Sequence, residues 1–105
     1  MIKFSVLYPK TKAGTFDMDY YCKQHIVMVR QRLGRACKGL VVDQGLSGPA
    51  PGTQPAYFVM GHLLFDSVED FQTAFAPHAQ EIMADASRFT NVEPIVQISD
   101  LVVNE

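Results

Sequence analysis

Residues 56–65 read AYFVMGHLLF, and this stretch decides the fold. It follows a loop rich in glycine and proline at residues 47–55, and its composition predicts a β-strand. Apolar side chains occupy both sets of alternating positions, so both faces of this strand need a cover. One face can pack against helices of the same chain. The other requires a second cover that 105 residues do not obviously supply, and we therefore expect a homodimer.

The rest of the chain surrounds this strand with the order β-α-β-β-α-β. Strand patterns occupy residues 2–8, 38–46, 56–65 and 93–103. The first helix is predicted from an N-cap at Asp17 to a stop at Gly34, and the second begins at Ser67 with a break near Pro77. This order predicts one α+β domain over residues 1–105, with a ferredoxin-like four-stranded antiparallel sheet and both helices on one face.

Composition and charge exclude several classes of partner. The net charge is −2 without a basic stripe, so nucleic acid is not an expected partner. No apolar run is long enough to span a bilayer, and the N-terminus does not resemble a signal peptide. A cytoplasmic location is therefore expected, with Cys22 and Cys37 as free thiols buried in the core.

Several short segments resemble one known family. The run FDMDYY at residues 16–21, followed by Lys23 and His25, is similar to the FDxDYY…KH signature of EthD proteins. The likeness extends in order over almost the whole chain, through IKFSVLYP at 2–9, GHLLFDS at 61–67, FAPHA at 75–79, EIM at 81–83, TN at 90–91 and EP at 93–94. One departure is that Val27 stands where the family often has proline, so a kink just after His25 is not expected.

The resemblance carries expectations about structure and activity. EthD proteins are associated with degradation of fuel ethers such as ethyl tert-butyl ether, alongside a haem-thiolate monooxygenase, and some are labelled reductases. The likeness therefore implies a role in xenobiotic degradation, oxidoreductase chemistry and a functional link to a monooxygenase system. It also implies a dimeric α+β barrel, in which the sheets of two subunits pack face to face around a cavity for a small molecule.

Two histidines are the candidate catalytic residues. His25 lies on the apolar stripe of the first helix, and is either a core imidazole or a titratable group at the edge of a cavity. His62 lies in the third strand and either lines the barrel as a neutral proton acceptor or is a polar residue of the dimer interface. Asp43, within the second strand, either orients a histidine across the sheet or faces solvent.

The expected cavity is apolar, with few polar groups. The candidate ligand-binding residues are Tyr21, Phe58, Met60, Leu64 and His78. Packing alone also explains Tyr21, and local bonding at a helix start also explains His78. No cofactor is expected, because nicotinamide, flavin and phosphate-loop motifs are absent, and the histidine spacing predicts no metal site. The sequence leaves open a cofactor-poor oxidoreductase, an isomerase-like enzyme, a non-catalytic binding or accessory protein, and a purely structural dimer whose barrel is filled by side chains.

Overall fold

The four strands form one antiparallel sheet in a computed structural model that describes all 105 residues. The strands are β1 (Ile2–Pro9), β2 (Gly39–Gln44), β3 (Tyr57–Phe65) and β4 (Ile95–Asp100). They pair in the order β2-β3-β1-β4, which places β3 and β1 in the centre. Both helical segments pack on one face of the sheet. The predicted α+β, ferredoxin-like architecture is confirmed.

The first helical segment changes its winding halfway along. It consists of α1 (Met18–Tyr20), a π-helical turn (Tyr21–His25) and α2 (Ile26–Leu33). The Asp17 carboxylate accepts a hydrogen bond from the Tyr20 amide at 3.0 Å, which confirms the predicted N-cap. The segment ends at Gly34, whose φ of +60° is unfavourable for residues with a Cβ. The first helical segment thus departs from α-helical winding in the turn that ends at His25, although no proline follows this residue.

The second helical segment is divided at its proline, as predicted. It comprises α3 (Val68–Phe75), a 3-10 turn (Ala76–His78) and α4 (Ala79–Ala84). The Ser67 hydroxyl caps α3 by accepting from the Asp70 amide at 3.0 Å. The sequence pattern predicts a loop over residues 85–91, but a further 3-10 turn (Asp85–Arg88) continues the helical segment there. None of the helices is long and apolar enough to cross a membrane.

The core lies between the helices and the sheet. Phe65 is completely buried in β3, and its ring meets that of Phe71 from α3 edge-on at a centroid distance of 5.2 Å. A second, aromatic cluster fills the other end of the same layer, where Tyr8, Tyr21 and Phe89 pack around Val59. The alternation in β1 and β3 thus buries one set of side chains beneath the helices.

The opposite side of the sheet, called the open face, carries the second set of apolar side chains. Its register pairs Ser5 with His62 and Leu7 with Met60. The apolar members of the open face are Leu7, Val41, Met60, Leu64 and Ile95. Val41 and Ile95 are about half exposed, so the chain's own helices leave this face uncovered.

Three sequence predictions are corrected. Strand β4 covers Ile95–Asp100 instead of residues 93–103, because Ile95 and Asp100 are the first and last of its residues that pair with β1, its only partner strand. Strand β2 covers Gly39–Gln44 and not residues 38–46: Lys38 and Gly45 each donate one backbone hydrogen bond to β3 but lie outside the paired register. Cys22 is exposed rather than buried, since it lies on the outer side of the first helical segment.

Candidate functional site

A cavity of about 510 Å³ lies between the helices and the sheet. This volume is in the range of small-molecule sites, and most of the lining is apolar. The lining from the sheet includes Phe4, Val6, Tyr8 and Leu63, and the lining from the helices includes Tyr21, His25, Val29, Phe71 and Ile82. Exposed lining residues, among them Met83, Glu93 and Val96, mark its mouth.

His25 lies in the wall of this cavity, at the last residue of the π-helical turn. Tyr21 and His25 are four residues apart and therefore lie on the same side of the helical segment. Both point inward, with their rings stacked at a centroid distance of 5.5 Å. The ring of Phe89 lies 4.7 Å from the imidazole on another side. His25 is 6% exposed, so aromatic packing fixes its position.

Asp85 fixes the tautomer of His25. The carboxylate can only accept, so the imidazole donates from Nδ1 to Asp85 Oδ2 at 2.9 Å. The second carboxylate oxygen accepts from the Tyr20 hydroxyl at 2.9 Å, and Arg88 Nε lies 3.5 Å from that oxygen. The lone pair of His25 is thereby left on Nε2, which makes no hydrogen bond to the protein.

Burial controls the charge of this histidine. Removal from water lowers the pKa of His25, and the hydrogen bond and charge of Asp85 oppose that shift. Because the burial effect is the larger, the pKa lies below its ordinary value and the imidazole is neutral at pH 7. A neutral imidazole with a free nitrogen and an orienting carboxylate has the arrangement of a general base.

Two tyrosine hydroxyls also face the cavity. Tyr21 is 3% exposed, and its hydroxyl makes no hydrogen bond within the protein. Every side-chain oxygen or nitrogen that is fully shielded from solvent has a hydrogen-bond partner, so the Tyr21 oxygen is not fully shielded. The hydroxyl therefore opens into the cavity. Burial raises the pKa of Tyr8 to about 12, and burial together with the neighbouring Tyr8 raises the pKa of Tyr21 further. Both phenols stay protonated and are hydrogen-bond donors at neutral pH.

Gly61 makes room for the Tyr21 hydroxyl. A Cβ atom at position 61 would lie only 2.5 Å from Tyr21 Oη. A glycine within a strand predicts the close approach of another element, and the approaching group here is this hydroxyl. The absence of a side chain on β3 therefore sets the depth to which Tyr21 enters the cavity.

The structure separates the residues that the sequence singled out. His25 and Tyr21 line the cavity. The side chains of Met60 and Leu64 lie on the open face, and Phe58 stacks on Phe16 with 6.2 Å between ring centroids. His78 lies in the 3-10 turn of the second helical segment and does not line the cavity. The expectation of one chamber that brings all these residues together is not met within the subunit.

His62 occupies a different environment from His25. Its register places the side chain on the open face, so only its main chain can border the cavity. Its Nδ1 lies 2.8 Å from Ser5 Oγ, and its Nε2 lies 3.5 Å from Asp43 Oδ2, in a carboxylate side chain that is half exposed to solvent. Burial and the charge of Lys3 lower the pKa of His62, while Asp43 opposes the shift. Both of its nitrogens thus face protein groups.

Sequence reasoning did not find three groups at the site, Asp85, Tyr20 and Phe89. Asp85 lies 60 residues from His25 in the chain and had been assigned to a loop. Asp85 lies just after the predicted end of the second helix. Aspartate is common at such turns for local reasons, so its presence there does not indicate a functional residue.

The structure contains no group of three or more His, Cys, Asp or Glu residues arranged to hold a metal.

The chain is similar to known proteins of one family. Residues 15–93 match the EthD domain. The chain belongs to the EthD family. An EthD-like protein from Ralstonia eutropha JMP134 has 42% identity and a TM-score of 0.93, over 99% of this chain and 94% of that one. No protein of curated function matches the chain.

More distant structures share the fold of this EthD protein. An EthD family protein from Bacillus halodurans C-125 has 17% identity and a TM-score of 0.66, covering 95% of this chain and 97% of that one. A dimeric protein of ferredoxin-like fold from Bacteroides fragilis NCTC 9343 has 9% identity and a TM-score of 0.60, covering 94% of each chain. At these identities the likeness concerns the fold alone.

Proposed function

We propose that this EthD protein binds a small apolar oxygenated compound beneath its helices and that His25 accepts a proton from it. The observation that carries the proposal is the His25–Asp85 pair in the wall of an apolar cavity of about 510 Å³. Proton transfer needs a base within reach of the ligand, and the support for His25 is that it lines the cavity while its Nε2 makes no hydrogen bond to the protein. The compound belongs to the degradation of ethers or related xenobiotics, in keeping with the family.

A non-catalytic binding role has support from a different observation. Sixteen of the 21 lining residues are hydrophobic, which favours retention of an apolar compound as much as its conversion. Such a protein would carry the compound to a monooxygenase or sense it. Binding without turnover distinguishes this role from catalysis.

The site is tested by a thermal-shift screen of ethers, alcohols, ketones and small aromatic compounds. A compound that binds only the folded state at 100 times its Kd adds about 2.7 kcal/mol to the free energy of unfolding, which raises Tm by roughly 10–20 °C in a domain of this size. Ala86 lines the cavity, and we expect Ala86→Phe to fill it and abolish the shift. Ala84→Phe, at an exposed position two residues earlier in the chain, is the matched control and should keep the shift.

If no compound shifts Tm, or if Ala86→Phe leaves the shifts intact, the cavity is not the binding site. Shifts that depend on the cavity without turnover of any bound compound would favour the carrier or sensor role over catalysis.

The lowered pKa of His25 predicts how stability and turnover depend on pH. Above pH 6.5 the imidazole is neutral in both the folded and the unfolded chain, so its full contribution to the free energy of unfolding is present. As the pH falls from about 6.5 toward the lower folded pKa, the unfolded chain binds a proton that the folded chain does not, so stability decreases. Turnover is lost as the folded pKa is passed. Tm measured from pH 8 to pH 5 should fall less steeply in His25→Gln, with a residual slope from His62. Equal slopes in the two proteins would contradict this assignment.

We also propose that a second copy of the chain covers the open face. Val41 and Ile95 leave apolar area on a sheet face that the helices do not reach, and two such faces are self-complementary about a two-fold axis. We expect light scattering at micromolar concentration to give twice the chain mass of 11.7 kDa. Met60→Glu, in the centre of the face, should shift the mass toward one chain. A wild-type protein that stays monomeric would contradict this proposal.

A further inference from the structure

We infer that the compound is a carbonyl compound with an acidic C–H bond, and that Tyr21 holds its oxygen while His25 removes the proton. This inference rests on the proposed function and specifies its substrate. It assigns the Tyr21 hydroxyl, with the space provided by Gly61, to a role that packing does not explain.

The first observation is the free hydroxyl itself. A buried tyrosine normally directs its hydroxyl to a protein acceptor, since an unsatisfied polar group costs free energy. Tyr21 is 3% exposed and has no such acceptor, whereas the nearby Tyr20 donates to Asp85. Its hydroxyl lies over Gly61 and opens into the cavity, where a ligand oxygen can accept from it.

The second observation is that the donor and the base lie side by side. The rings of Tyr21 and His25 are stacked at 5.5 Å, and both line the cavity. The ring of Tyr8 lies 6.0 Å from that of Tyr21, so a second phenol borders the same space. A small ligand that contacts the Tyr21 hydroxyl therefore has other atoms close to His25.

This combination suits enolisation. His25 Nε2 takes the proton from the α-carbon, and the C–H electron pair forms a C=C bond. The C=O π pair moves to oxygen, where the Tyr21 hydroxyl donates to the developing oxyanion. Return of the proton to the same carbon, or to a conjugated one, completes an exchange or an isomerisation. No electron is gained or lost, so the step needs no oxidant, reductant or cofactor.

Ethers and alkanes fit this pair of groups less well. An ether oxygen can accept from Tyr21, but its C–H bonds are not acidic, so His25 has no proton to remove. An alkane uses neither group. The cavity volume and aromatic lining accommodate a ketone with one or two rings.

The test uses 2-tetralone as the carbonyl probe and tetralin as its analogue without oxygen. Proton exchange at C1 of 2-tetralone is followed by proton NMR in D₂O, with the full-length protein. We expect the wild type to accelerate exchange above the buffer rate. Tyr21→Phe should lower the accelerated rate at least tenfold and leave the affinity for tetralin unchanged. Tyr57→Phe, whose ring lies outside the cavity, is the matched control and should exchange at the wild-type rate.

Gly61→Ala gives an independent check, because it keeps the phenol but displaces its oxygen. The new Cβ cannot coexist with Tyr21 Oη at 2.5 Å, so the hydroxyl must move and exchange should fall as it does in Tyr21→Phe. Circular dichroism of each variant establishes that the fold is retained.

The outcomes separate this inference from the proposed function. Binding of both probes with wild-type exchange in Tyr21→Phe, but loss in His25→Gln, would overturn the role of Tyr21 and leave proton transfer by His25 standing. Binding without any acceleration of exchange by the wild type would overturn the enolisation. Absence of binding by either probe, together with a negative compound screen, would overturn the proposed function as well.

Discussion

Replacement of His25 by glutamine is expected to lower kcat/KM for a proton-transfer substrate by about 10²–10⁴-fold, the usual contribution of a positioned general base. Glutamine retains a donor for Asp85 but has no basic nitrogen at the position of Nε2. Binding of an uncharged ligand should change little, because most of the lining remains. The measurement is steady-state kinetics on the first turned-over compound from the screen, together with its Kd.

Two further variants sharpen this result. Asp85→Asn removes a charge that raises the pKa of His25, so the acid limb of the pH–rate profile should shift to lower pH. A purely structural role of Asp85 would lower the rate without moving that limb. His62→Gln compares the second histidine under the same conditions. Loss of turnover in His62→Gln with wild-type rates in His25→Gln would place the chemistry on the open face instead.

The largest effect on stability is expected from Phe65→Ala. Phe65 is completely buried at the end of the central strand β3, against Phe71 of the second helical segment. Truncation of such a ring removes its burial and leaves a cavity, at a cost of about 3–5 kcal/mol. That cost is a large fraction of the roughly 5–15 kcal/mol available to a domain of this size. Urea denaturation at fixed protein concentration measures the loss as a lower midpoint.

Leu46→Ala is the matched control for this substitution. Leu46 is 89% exposed in the loop before β3, and its truncation should change the free energy of unfolding by no more than about 0.5 kcal/mol. A loss below about 1 kcal/mol in Phe65→Ala would mean that the packing between β3 and α3 does not support the fold as described.

Much of the fold was readable because its signals are local. Asp17 and Ser67 bond to amides three residues away, and Pro77 breaks its own helix, so each acts through neighbours in the chain. Alternation in β3 separates the buried Val59 and Phe65 from the side chains of the open face. The family signature at residues 16–25 was equally local, and the match over residues 15–93 agrees with it.

The site depended on contacts that no local pattern encodes. His25 bonds to Asp85, 60 residues away in the chain, and Tyr21 lies against Gly61, 40 residues away. Only the packing of the helices against the sheet brings these residues together. The sequence identified two candidate histidines, and the parity of β3 placed His62 on the open face. Which face encloses a cavity within one subunit depends on how closely helices and sheet approach. That distance is set by the sum of side-chain volumes in the layer between them, and it is a property of the assembled tertiary structure.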